Sequence, residues 1–106
     1  MSWADNAIKE LNNGSDVTIR PRGNSMNPKI KSGALVSLVP LLDTVELKVN
    51  DIVLCKVRGS VYLHLVKALK GDQYQIGNNR GGINGWITRN SIYGICVNID
   101  NSASGK

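Results

Sequence analysis

Two apolar runs, DIVLCKV at 51–57 and VYLHLVKAL at 61–69, stand on either side of the tripeptide RGS. Runs of this length, rich in β-branched residues and bounded by turn residues, are strands, and so short a connection makes them antiparallel neighbours. The pair predicts a β-hairpin, and a hairpin needs further strands before it is stable in water. Candidates occur along the whole chain. DVTIRPRG at 16–23 alternates, and ALVSLVPL at 34–41 follows the turn residue Gly33. QYQIGN at 73–78 follows the turn GD at 71–72, and GWI at 85–87 and SIYGICVNI at 91–99 lie late in the chain. NNRGGING at 78–85 is a Gly/Asn-rich loop.

Only the N-terminus carries helical periodicity. Trp3, Ala7 and Leu11 fall on one face with Ile8 beside them, Ser2 resembles an N-cap, and NNG at 12–14 ends the pattern. The spacing predicts one short amphipathic helix within residues 2–12, read here from Trp3 onward. Too short to persist alone, it is expected to dock on the body, Trp3 included. A β core over 18–99 and a polar, disordered tail over 100–106 complete the expectation. With 106 residues, eleven glycines, three prolines and no phenylalanine, the chain predicts a single mostly-β domain of short strands. No repeat, linker or second domain is visible.

Several function classes lose support at once. No apolar run approaches the ~20 residues that cross a bilayer. The start MSWADNAIKELNNG lacks a basic-then-apolar signal pattern. A soluble, cytoplasmic protein is expected. Cys55 and Cys96 sit singly inside apolar segments with no C-x-x-C spacing, so they read as packing residues, and nothing predicts a metal or cofactor. The net charge of +5 suits an anionic partner, but the basic residues form neither a run nor a helix face and no aromatics interleave with them. Solvated surface charge is the preferred reading over a nucleic-acid site. Met26 reads as core or pocket wall, and Trp86 and Tyr93 as packing residues.

The chemistry-bearing residues are Ser25 and His64. Ser25 lies in RGNSMNPKIKSG, where Gly23 before it and Pro28 after it are what a sharply shaped turn uses. A free serine hydroxyl is a poor nucleophile at neutral pH and needs a base within hydrogen-bond reach. His64, the only histidine, has the right intrinsic pKa. Strand alternation puts Tyr62, His64 and Val66 on one face and Leu63, Leu65 and Lys67 on the other, so His64 and Lys67 do not share a site. A lone strand histidine is equally what a packed or surface residue looks like.

RGNSMNPKIKSG resembles the nucleophile segment of the superfamily joining signal peptidases to LexA-like self-cleaving repressors. It supplies Gly23, Ser25, Met26, Pro28, Ile30 and Gly33 in the order of the pattern Gly-x-Ser-Met-x-Pro, apolar residue, Gly. VNDIVLCKV is similar to the family's Gly-Asp-Ile-Val strand, with Asn50 in place of glycine. VYLHLVKAL stands where the family carries its base, lysine in most bacterial members and histidine in the endoplasmic-reticulum and archaeal signal peptidases. IGNNRGGINGWI and IYGICV resemble the closing loop and strand, so the likeness covers about Thr18 to Ile99.

The resemblance implies a LexA/signal-peptidase-like β-ribbon fold, a Ser25–His64 dyad, and an oxyanion site made of backbone N–H groups at Ser25 and Met26. It also implies a peptide or protein substrate. Asn78 and Asn84 stand where histidine-type relatives have aspartates that support the base. An asparagine carbonyl can hold a histidine tautomer but does not stabilise an imidazolium as a carboxylate does, so lower activity is expected unless Asp51 or Asp72 fills the role. Alternatively, Asn78, Asn79, Gly81 and Gly82 simply shape a turn. Gly23 replaces a hydroxyl that some signal peptidases direct at the oxyanion. The stretch ahead of Ser25 is shorter than a helix-turn-helix domain, and the chain contains no Ala-Gly or Cys-Gly self-cleavage dipeptide. A stand-alone member of the kind found in phages and prophages is expected. Three functions stay open: a serine endopeptidase, a weak or silent peptidase-like domain that binds a peptide or protein partner, and, behind these, a nucleic-acid-associated accessory protein drawing on the +5 charge. The oligomeric state is open too.

Overall fold

The computed structural model of the chain describes residues 4–103. The protein is mostly β. One helix, α1 (Asp5–Asn12), precedes seven strands: β1 (Val17–Ile19), β2 (Leu35–Pro40), β3 (Ile52–Val57), β4 (Ser60–Lys70), β5 (Gln73–Gly77), β6 (Ile83–Thr88) and β7 (Ile92–Asp100). All join in one antiparallel sheet of order β1-β2-β7-β3-β4-β5-β6.

The predicted hairpin is β3–β4, with Val57 opposite Ser60 and the two-residue turn Arg58–Gly59 between them. Both turn residues have positive φ, 51° and 84°. That turn matches the right-handed twist of the strands it joins. Gly71–Asp72 links β4 to β5 in the same two-residue manner, and the meander continues to β6. β7 then returns to lie between β2 and β3.

Strand alternation divides the core between the two faces. Leu54, Leu63 and Leu65 point to one face, joined by Val36, Leu38, Met26, Ile30, Ala34 and the helix residues Ala7 and Leu11. Val53, Cys55, Val57 and Val66 point to the other, with Leu47, Ile76, Ile87 and Ile92. Because both faces are covered, β3 reads as a continuous apolar run instead of alternating with polar residues. Burying side chains such as Leu38 and Leu54 completely contributes about 1.5–3 kcal/mol each.

Helix α1 docks where Gly94 leaves a hollow. A Cβ at Gly94 would stand 2.9 Å from a Leu11 methyl group and 2.8 Å from the Val39 carbonyl oxygen. The helix starts at Asp5 after Ala4, which provides no side-chain cap. This is later than the expected start, and the predicted cap Ser2 and the docking of Trp3 lie outside the described residues. Its C-terminal end is as read: the Gly14 N–H bonds to the Leu11 carbonyl.

Other boundaries also move. Strand pairing of β1 stops at Ile19, ahead of the Pro21 that has no N–H to offer a ladder. β6 opens at Ile83, inside the segment read as loop, and β7 runs through Asp100. Residues 100–103 are therefore ordered, a correction to the tail expected from residue 100. Asn101 ties them down, accepting from the Lys31 N–H at 3.0 Å and donating to the Lys29 carbonyl at 3.0 Å. The rest of that tail lies outside the described residues. Trp86 does not pack as expected; on the edge strand β6 it is 42% exposed.

Candidate active site

Ser25 lies in the segment that leaves β1. Two hydrogen bonds fold this segment back on itself: Gly33 N–H to the Pro21 carbonyl at 2.8 Å and Gly23 N–H to Ser32 Oγ at 3.0 Å. Gly23 adopts φ +109°, a conformation that costs any other residue strain. Met26 and Ile30 anchor the segment in the core, the Ile30 N–H reaching the Met26 carbonyl at 3.0 Å. Ser25 itself stays exposed above its buried neighbour.

His64 sits in β4 opposite Val53 and is 6% exposed. β5 joins β4 only from Leu65 onward, so the first half of β4 pairs with β3 alone among the described residues. Here the Ser25 segment comes alongside. Ser25 Oγ lies 3.2 Å from His64 Nε2, 39 positions apart in sequence. At the other ring nitrogen, Nδ1 is 2.6 Å from Asn84 Oδ1. A carbonyl oxygen accepts, so Nδ1 carries the proton and Nε2 presents its lone pair to the Ser25 hydroxyl. Tyr62 stacks on the imidazole with centroids 4.9 Å apart and planes inclined by 25°. Burial pushes the imidazole below its ordinary pKa, and the bond to Asn84 works in the opposite direction. A ring held this way is a neutral proton acceptor at neutral pH.

The two asparagines expected to support the base separate. Asn84 is the extra residue where β6 slips its register against β5, Ile76 facing Gly85 and Gly77 facing Ile83. Such a bulge re-aims a side chain, here onto His64. Asn78 does not orient the ring, a correction to that expectation. Its Oδ1 accepts from the N–H groups of Arg80 and Gly82, at 2.9 and 2.8 Å, and closes the loop as a turn residue. Neither carboxylate considered as a substitute takes part. Asp51 Oδ2 accepts from the Lys48 N–H at 2.8 Å, and Asp72 stands in the β4–β5 turn.

Sequence reasoning left Asn79 as a turn former. Its backbone N–H donates to the Ser25 carbonyl and its Nδ2 to the Asn27 carbonyl, both at 2.9 Å. The loop over 78–82 and the start of β6 therefore grip the Ser25 segment through Asn79 and the His64 ring through Asn84. Lys67, the extra residue where β4 shifts its register against β5, braces the same loop, its Nζ donating to the Asn78 carbonyl at 3.1 Å. No local pattern distinguishes Asn79 from Asn78, because its side-chain partner is 52 positions away. The N–H groups of Ser25 and Met26 have no acceptor among the described residues.

A cleft of about 630 Å³ opens beside Ser25. Ile19 to Gly23 form one wall and Val61 to His64 the other, with Met26, Ile30 and Lys31 completing it. Val61 and Leu63 belong to one face of β4, Tyr62 and His64 to the other. Residues of both faces line one cleft only when it runs along the edge of the strand. Among the described residues no cluster of His, Cys, Asp and Glu could hold a metal ion, and no helix is long and apolar enough to cross a membrane. No protein-family model matches the chain, and no curated protein is significantly similar to it.

Proposed function

We propose that the chain is a serine endopeptidase of the signal-peptidase/LexA-like type, with Ser25 as nucleophile and His64 as general base. One observation carries the reading: the aligned series Ser25 Oγ, His64 Nε2, His64 Nδ1, Asn84 Oδ1, with spacings of 3.2 and 2.6 Å. Ser25 Oγ bonds to the substrate carbonyl carbon while its proton passes to Nε2. The carbonyl oxygen takes the charge opposite the N–H groups of Ser25 and Met26. The C–N bond then breaks and the imidazolium returns the proton to the leaving amine. Water, deprotonated by the same ring, hydrolyses the acyl ester. Asn84 is the positioning residue that keeps Nδ1 protonated and Nε2 free.

The substrate is an extended segment lying along the unpaired edge of β4, where backbone pairing holds it and the cleft sorts its side chains. Cys55 and Cys96 are free thiols, which suits a reducing compartment and a cytoplasmic setting. A second reading, a cleft that holds a peptide without cutting it, is favoured by one specific feature: the residue at Nδ1 is a neutral amide, a weak partner for imidazolium. A fluorophosphonate probe separates the two. The peptidase reading expects a single adduct on Ser25, located by mass spectrometry and lost in both Ser25→Ala and His64→Ala. Equal labelling of wild type and Ser25→Ala rejects it.

A further inference from the structure

The basic residues look scattered along the sequence, but the fold gathers three of them at one place. Arg20, Arg22 and Lys31 line the cleft beside Ser25, and no aspartate or glutamate does. Beneath them the lining is apolar: Ile19, Met26, Ile30, Val61 and Leu63. Arg20 is held in position, its guanidinium donating to the Gly33 carbonyl at 2.6 Å. Arg22 and Lys31 are exposed, and among the described residues their side chains have neither a hydrogen-bond nor an ion-pair partner.

Arg20 and Arg22 stand two apart just after β1, and both line the cleft. A peptide laid beside them presents its own alternate residues at the same spacing. We infer that the cleft selects peptides with carboxylates at alternate positions, which meet Arg20, Arg22 and Lys31 while the intervening apolar side chains face the cleft lining. This deepens the peptidase reading and rests on its assignment of the cleft as the peptide site. An acidic peptide is favoured over a nucleic acid, the other anionic polymer. The lining offers aliphatic side chains in place of stacking platforms, and its one aromatic ring, Tyr62, is already stacked on His64.

The test uses Ser25→Ala, so that binding is read without turnover. Fluorescein-labelled peptides alternating Val with Glu are compared by anisotropy with matched Gln and Lys versions, with an oligo-dT strand as competitor. At low salt the Glu peptide is expected to bind about 10-fold more tightly than the Gln peptide, two exposed pairs at a few-fold each. The margin should shrink as added salt shortens the Debye length toward about 3 Å. Arg22→Glu combined with Lys31→Glu should shift the preference to the Lys peptide. Equal affinity for Glu and Gln peptides, no binding by any peptide, or tighter binding of oligo-dT than of the Glu peptide overturns the inference. Fluorophosphonate labelling of the wild type reads the chemistry separately. Labelling without acidic preference defeats only the substrate class, and acidic preference without labelling defeats only the serine chemistry.

Discussion

Asn84→Asp replaces an amide by an isosteric carboxylate at the atom that meets the imidazole. Asn84 Oδ1 is 2.6 Å from His64 Nδ1. A carboxylate there puts its charge about 4 Å from that of an imidazolium, an attraction of about 4 kcal/mol at an effective permittivity of about 20. Desolvation of the new carboxylate beside a ring only 6% exposed reduces the gain. At 1.36 kcal/mol per unit, the imidazole pKa rises by about 3 units at most. The same attraction acts on the imidazolium that forms as Ser25 gives up its proton, so the reaction of Ser25 accelerates by about 10²- to 10³-fold.

The sign of the pH dependence follows from the wild-type environment. Burial holds His64 below its ordinary value. On the proposed mechanism the ring acts when neutral, so the acid limb of the wild-type labelling profile is expected below about pH 6.5. In Asn84→Asp that limb moves to higher pH and the alkaline plateau rises. The assay is the second-order rate constant of Ser25 phosphonylation from the acid through the alkaline range, with His64→Ala as the blank. An acid limb that stays in place or moves down, or a lower plateau, refutes the assignment of Asn84 as the partner of the base.

Three further outcomes are expected. Asn79→Ala removes the bond to the Asn27 carbonyl but keeps the backbone bond to Ser25; it should lower stability by about 0.5–1.5 kcal/mol while slowing phosphonylation about 10-fold. A rate unchanged against a lowered melting temperature would make Asn79 merely structural. Leu54→Ala, at a fully buried position of the central hairpin, should cost about 2–5 kcal/mol in urea unfolding. The Cys55 thiol, pushed up to about 12 by burial, should resist a disulfide reagent at pH 8 in the native protein and react once urea unfolds it.

The strand hairpins were legible because they are local. RGS and GD carry the turn chemistry, and the runs beside them the right residue types. The insertion of β7 between β2 and β3 was not legible, since no short-range signal records which earlier strands a late one will separate. Ser25 and His64 stood out by residue type, but their approach depends on where β5 begins to cover β4. Asn78 and Asn84 looked alike in the chain. A one-residue slip between β5 and β6 turns Asn84 onto the ring, whereas Asn78 is absorbed by the backbone of its own loop. The helix start and the chain end were misread because local polarity says nothing of long-range ties such as that of Asn101 to Lys29 and Lys31.

The connector over 78–82 leads into β6, the outermost strand, which pairs with β5 alone. Strands at such a margin breathe at temperatures well short of global melting. Since one short ribbon steadies both the alcohol and the imidazole, a single excursion disengages them together. On the proposed mechanism, a local opening of this ribbon would silence the centre while most of the sheet remains whole.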